Sequence, residues 1–185
     1  MFEFGVTPFY FVRHGETQQS QEGIVQGQME SELNALGRET VEKAANVLST
    51  VPLGSIYASP LKRTWMTAKI ISVLTGTPVH RLPGLMERHW GHYQGKPKDC
   101  RPSLTNPKSV ETIEDFTHRI LDAMRSISGP SPVLIVSHSG VFRVLCAHAG
   151  FPLERVISVA SGQVLRLEPP IRQRQRWHIS IVGTF

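Results

Sequence analysis

Pro132-Val-Leu-Ile-Val-Ser-His-Ser-Gly140 is the stretch on which the fold turns. Its opening run is apolar and rich in branched side chains, so Pro132 to Val136 reads as the clearest strand in the chain. A helix follows through about Ala149, ended by Gly150 and Pro152. Outward from this unit the pattern repeats. Phe9-Tyr-Phe-Val12 is another apolar run, which reads as a buried parallel strand, followed at once by the charged turn Arg13-His14-Gly15-Glu16-Thr17. Residues 34 to 50 read as a helix capped by Asn34, with Val41, Ala44, Ala45 and Leu48 at helical spacing. Ser55 to Ala58 is a further strand. The helix after it, with Pro60 in its first turn, runs to about Leu74 and stops at Gly76. Val79 to Leu82 forms a third strand in that half, and residues 83 to 108 form an irregular loop.

Residues 110 to 128 predict another helix, with Ile113, Phe116, Ile120, Leu121 and Met124 on one face. Strands near 156 to 168 and 176 to 182, on either side of Pro169-Pro170, predict a hairpin. Strands alternating with helices imply an α/β layer fold with a mainly parallel central sheet. No repeat or linker divides the chain, so residues 1–185 are expected to form a single domain.

Composition narrows the function classes. Hydrophobic residues make up 40% of the chain, enough for a proper core, and no apolar run approaches membrane-spanning length. The segment before Val12 has no basic leader, and Cys100 and Cys146 stand far apart without metal-ligand spacing, which together point to a cytoplasmic protein. A formal charge of +5 favours anionic partners. Arg172, Arg174 and Arg176 would share one face of a strand, but no aromatic platform is interleaved with them, which argues against nucleic acid and for a solvated edge.

Three strand ends carry unusual residues: Arg13 and His14, Ser59 to Arg63, and Ser137 to Gly140. Ligands of open α/β sheets bind beyond the carboxyl ends of the strands, so these segments can converge there. Two arginines and two histidines meeting with few acids cost energy unless an anion is bound. Phosphate fits, because a guanidinium grips it with two parallel hydrogen bonds, and the helix after Ser139 would aim its first N–H groups at the same anion. Gly15 and Gly140 would leave room for close approach of the ligand to the backbone. A neutral imidazole can also attack phosphorus and hold the phosphoryl group covalently, and Glu87, at the start of the irregular loop, is the candidate acid and base. His89 and His92, with no third ligand, read as polar loop residues; Arg143 reads as part of a helix ion pair, Cys146 as a core thiol, and Trp65 as a packing residue.

The ordered set Phe11-Val-Arg-His-Gly-Glu-Thr17, Gln26-Gly27, Leu33 to Gly37, Ser59-Pro-Leu-Lys-Arg63 with Thr67-Ala68, Leu85-Met-Glu87 with Gly91 and Gln94-Gly95, and Val136-Ser-His-Ser-Gly140 resembles the histidine phosphatase superfamily, the phosphoglycerate-mutase-like family. The resemblance implies a three-layer α/β/α sandwich, His14 as the phosphorylated nucleophile, and Arg13, Arg63 and His138 in the phosphate pocket. It further implies Glu87 as proton donor, Gln26-Gly27 as the loop bordering the phosphate, and no metal or cofactor. Where this family commonly has Asn six residues after the nucleophile, the chain has Ser20, a shorter candidate phosphate ligand; Gln19 stands in place of the usual Trp.

Leu85 to Gly95 is close to the mutase version of its loop, where Arg88, Lys96, Lys98 and Arg101 could hold a substrate carboxylate. The connection onward to Val110 is short, however, and a less covered site admits water, favouring hydrolysis. The expected activity is hydrolysis of a small phosphorylated substrate. The alternatives are a mutase-type phosphotransferase and a non-catalytic phospholigand-binding member. Substrate identity and oligomeric state are not set by the sequence.

Overall fold

The computed structural model describes residues 1–101, 108–151, 159–170 and 177–183. Strand β1 (Phe9–Arg13) is followed by a one-turn helix α1 (Gln18–Gln21) and by α2 (Ala35–Leu48). Then come β2 (Ser55–Ala58), α3 (Lys62–Thr75) and β3 (Val79–Arg81). Helix α4 (Ile113–Ser126), β4 (Val133–Ser137), α5 (Ser139–His148), β5 (Val164–Glu168) and β6 (His178–Ile181) complete the fold.

The sheet order is β3-β2-β4-β1-β5-β6. β1 to β4 are mutually parallel, and β5 and β6 add antiparallel at the β1 edge. The chain thus moves from β1 through β2 to β3, then returns to place β4 between β1 and β2. This explains why Pro132 to Val136 is so uniformly apolar. Val133 and Ile135 face one way, packing with Phe9 and Phe11 against Phe116, Ile120 and Met124 of α4 and Val141 and Phe142 of α5. Leu134 and Val136 face the other way, against Val41, Ala44, Ala45 and Leu48 of α2 and Ala68 and Ile71 of α3. A central strand with period-two side chains therefore meets a helical layer on each face, as the three-layer expectation requires.

The element boundaries correct several expectations. Asn34 does cap α2, its side chain accepting from the Gly37 N–H at 2.7 Å, and Gly76 ends α3 at a left-handed φ of 69°. Pro60 is not in the first turn of α3; the cap is Leu61 and the helix starts at Lys62. Ile113 is 58% exposed, and Ala123 takes a place on the buried face of α4. Within 83 to 108 the chain makes three short 3₁₀ turns, Pro83–Leu85, Gly91–Tyr93 and Lys98–Cys100. Residues 159–163 are not strand; β5 begins at Val164 and pairs with β6, Leu165 opposite Ile181. Residues 171–176, with the Arg172, Arg174 and Arg176 face, lie outside the described residues, as do 152–158. Among the described residues no helix is long and apolar enough to cross a membrane.

Candidate active site

The neighbouring strands β1, β4 and β2 end together, and each end delivers one part of a polar cluster. The His14 N–H donates to the Ser137 carbonyl (3.0 Å), extending the β1–β4 ladder by one residue and placing His14 beside His138. Their rings lie 5.2 Å apart, centroid to centroid. Ser59, just after β2, pairs its hydroxyl with Nε2 of His138 at 2.9 Å. Arg63 enters from the first turn of α3 and is only 1% exposed. Thr67, one turn later, accepts from the Gly15 N–H (3.1 Å) and donates to the Arg63 carbonyl (2.8 Å), pinning the turn after β1 to α3.

The two arginines are held by backbone carbonyls. Arg63 donates to Gly27 O (2.7 Å) and Met29 O (2.8 Å), and Arg13 donates to Val159 O (2.9 Å). Neither takes part in a salt bridge among the described residues. Burial pushes Arg63 down to about 10, a shift to which Arg13 adds. Among the described residues the Nε atoms of Arg13 and Arg63 and the Nδ1 of His138 are buried polar atoms without a partner. Buried nitrogens left unpaired are rare, and these three donors could be satisfied by an anion.

His14 has a defined form. Its Nδ1 lies 2.8 Å from the Gly15 carbonyl oxygen, which can only accept, so Nδ1 carries the hydrogen. Burial first, then the charges of Arg63 and Arg13, hold its pKa well below the usual histidine value. The imidazole is therefore neutral, and its lone pair is on Nε2. His138 is held down in the same way, by burial, Arg63 and His14. The sign of the pH dependence follows. Below about pH 6.5 the unfolded chain takes up protons on these two histidines that the folded chain refuses. Folding stability accordingly falls with pH from there down to the folded-state values. A bound dianion offsets part of this bias, because its charge makes an imidazolium less costly. Sulfate, whose own charge is constant in this range, should raise the melting temperature by more at about pH 5.5 than at about pH 7.5. Thermal unfolding at the two pH values checks this; an equal or smaller gain at the lower pH would show that no anion sits among these histidines.

Glu87 reaches the cluster from the loop. Its Oε2 accepts from the Gly140 N–H (3.1 Å) and its Oε1 from the Arg88 N–H (2.9 Å). The first turn of α5 is thus partly taken by this carboxylate, where the sequence had assigned it to the ligand. Gly140 is small for the same reason, since a side chain there would run into the Glu87 carboxylate. Gly15 likewise makes room for protein: a Cβ would meet the Gly37 carbonyl and Val41 of α2.

A residue that sequence reasoning missed sets the Glu87 loop. Arg119 of α4 donates to Gly84 O and Met86 O (both 2.9 Å) and to Glu87 O (3.4 Å). It is itself gripped by Glu111 through both carboxylate oxygens, at 2.8 and 2.9 Å. The Ser137 hydroxyl adds a bond to Leu85 O (2.7 Å). The only trace in the sequence is an arginine in a helix next to its apolar stripe, which does not announce a loop clamp.

The structure does not bring every candidate to the cluster with a free group. Ser20 is consumed by α1: its hydroxyl donates to Thr17 O (2.8 Å) and accepts from the Thr17 N–H (2.9 Å), completing a capping box. The Gln26 side chain accepts from the Ser31 hydroxyl (2.6 Å). Gly27, at a left-handed φ of 52°, contributes the carbonyl that Arg63 holds, and its missing side chain leaves space for Gln94. Arg143 has no ion pair among the described residues, contrary to expectation. Burial pushes the Cys146 thiol up to about 12, in keeping with a core position, and Trp65 packs with the Arg81 guanidinium 4.3 Å from its ring centroid. Nδ1 of His92 pairs with Ser109 (2.9 Å), and Nδ1 of His89 accepts from the Gly91 N–H (3.2 Å).

Beside Glu87 opens a cavity of about 750 Å³ between the 88–101 loop, α4 and α5. It shares Glu87 and Gly140 with the cluster.

A switch in strand order, with polar and charged residues gathered at the carboxyl ends of β1, β2 and β4, marks an α/β protein of the phosphoglycerate-mutase-like type. Its backbone follows that of Bacillus stearothermophilus YhfR with a TM-score of 0.80 and 28% identity, across 97% of this chain and 98% of the other. The chain belongs to the histidine phosphatase superfamily (branch 1), whose family model matches residues 9–169. Among its relatives are the uncharacterized phosphatase PhoE of Bacillus subtilis, 30% identical over 76% of each chain. The metal-independent phosphoserine phosphatase of Arabidopsis thaliana is 32% identical, over 77% of this chain and 68% of its own.

Proposed function

We propose that this chain is a phosphatase that hydrolyses phosphate monoesters through a phosphohistidine on His14, with no metal, Arg13, Arg63 and His138 holding the phosphoryl group and Glu87 moving the proton. The observation that carries the reading is the Nδ1–H to Gly15 O bond in a histidine that burial and two guanidiniums keep neutral. It leaves the Nε2 lone pair as the nucleophile. In the first step Nε2 bonds to phosphorus, the bond to the ester oxygen breaks, and Glu87 gives that oxygen a proton. In the second, water attacks phosphorus, Glu87 takes its proton, and the P–N bond breaks. The arginines and His138 supply charge where the equatorial oxygens develop it, the main demand of phosphoryl transfer.

The relatives that carry the name phosphatase support this reading, as does the short connection between Gly95 and α4, which favours entry of water. The test is to mix the protein with 4-nitrophenyl phosphate in EDTA, quench in base, and map the phosphoryl group. It is expected on His14; steady phosphate release with no phosphoryl-enzyme would overturn the covalent route. Glu87→Gln gives a second check. Its rate should fall about 10²–10⁴-fold for alkyl phosphates, whose leaving oxygen needs a proton, and much less for 4-nitrophenyl phosphate. A uniform loss across leaving groups would remove Glu87 from the proton-transfer role.

A further inference from the structure

Two side chains that defied expectation meet in one place. Ile113 is more than half exposed instead of packed, Arg143 has no ion pair among the described residues, and both line the cavity beside Glu87. We propose that this cavity holds the leaving group of the phosphate ester and selects a bulky, largely apolar one, aromatic by preference, that carries a second negative charge. The inference rests on the phosphatase reading for the word "leaving group", since Glu87 is at once the proton carrier and a wall of the cavity.

Size and lining exclude a small polar alcohol. A volume of about 750 Å³ is in the range that holds drug-sized ligands. Ile113, Phe116 and Leu121 of α4 and Val144 and Ala147 of α5 give it apolar walls. A serine-sized or glycerol-sized group would leave those walls facing water, whereas an apolar body covers them at about 25 cal/mol per Å². Trp90 adds a ring on the loop side, with the guanidiniums of Arg88 and Arg101 4.5 and 5.2 Å from its centroid.

Charge gives the second half. Among the described residues of the lining Glu87 is the only acid, against Arg88, Lys98, Arg101 and Arg143. Lys98, Arg101 and Arg143 are matched by no carboxylate among the described residues. Lys98 further feels the repulsion of Arg13 and Arg101, which links this rim electrostatically to the phosphate cluster. Cations converging on an apolar cavity call for an anion beyond the phosphate itself.

The experiment is calorimetric titration with three phosphonates: (4′-carboxybiphenyl-4-yl)methylphosphonate, its carboxamide, and 2-hydroxyethylphosphonate. In the unaltered protein the carboxylate should bind at least about tenfold more tightly than the carboxamide, and the carboxamide at least about tenfold more tightly than the hydroxyethyl compound. A Lys98→Met/Arg143→Met double variant should bring carboxylate and carboxamide close to equal. Ile113→Asn, at an exposed position, should narrow the gap between carboxamide and hydroxyethyl compound. Equal affinity for the hydroxyethyl and biphenyl compounds, or a carboxylate preference that survives the double variant, overturns the proposal. Hydrolysis of the matching phosphate esters, read alongside, judges the phosphatase reading separately. Discriminating binding without His14-dependent hydrolysis would sink that reading and leave the cavity assignment standing; hydrolysis without discrimination would do the reverse.

Discussion

Replacing His14 with Ala is expected to lower kcat for 4-nitrophenyl phosphate by on the order of 10⁴-fold or more, the scale at which loss of a covalent nucleophile is felt. Glu87, His138 and both arginines would remain, so phosphate should still bind; the loss should therefore fall on kcat far more than on KM. His14→Gln gives a complementary comparison, because its amide can fill part of the space and donate to Gly15 O but cannot accept a phosphoryl group. It should be as inactive as the alanine variant while keeping more stability. Steady-state kinetics in EDTA with both variants decide the matter. A residual rate within about tenfold of the unaltered protein would mean that phosphorus is attacked by something else.

Arg63→Met is the second large effect, and it joins stability to function. Arg63 is almost fully buried and ties Gly27 O and Met29 O to α3. Bonds from a charged donor contribute about 1.5–3 kcal/mol each, and their loss leaves two carbonyls unpaired. Relief of the buried charge offsets part of this, so a net loss of about 2–4 kcal/mol is expected, a melting shift on the order of 10 °C for a chain of this size. Sulfate should then stabilise the variant little, because the guanidinium that would face the anion is gone. Arg63→Lys should not rescue it, since an ammonium cannot span both carbonyls as a planar fork does. Undiminished stabilisation by sulfate in Arg63→Met would place the anion site elsewhere.

The sequence told strands from helices where one physical cause dominated. The apolar run at 133–136 was legible as a strand, and the structure gives the reason for its uniform apolarity, α2 and α3 on one side and α4 and α5 on the other. Asn34 and Gly76 act through local backbone chemistry, so they too were legible. What failed depended on partners far along the chain. Ile113 has the spacing of a core residue but begins α4, where the neighbouring space is cavity. Gly15 and Gly140 were visible as small residues, yet only the fold shows what fills the space each leaves: the Gly37 carbonyl for one, the Glu87 carboxylate for the other. Arg119 stayed hidden because its work is done on backbone carbonyls of a loop more than thirty residues away, which no side-chain pattern records. Ser20 was legible as a short polar substitute, but its hydroxyl is spent on its own helix turn.

The placement of β4 between β1 and β2 has a consequence for how the molecule is made. Among the described residues β1 pairs only with β4 and β5, so during synthesis its apolar run is expected to wait without a sheet neighbour until residue 133 has left the ribosome. Over that interval Phe9, Phe11 and Val12, and the side of β2 that β4 covers in the finished sheet, are expected to be exposed. The parallel part of the sheet cannot close without β4, whose place between the two halves brings His14, Ser59 and His138 together. A nascent chain cut short before residue 133 would therefore be expected to present an aggregation hazard to the cell and to lack the cluster altogether, because His138 and the strand that carries it are missing.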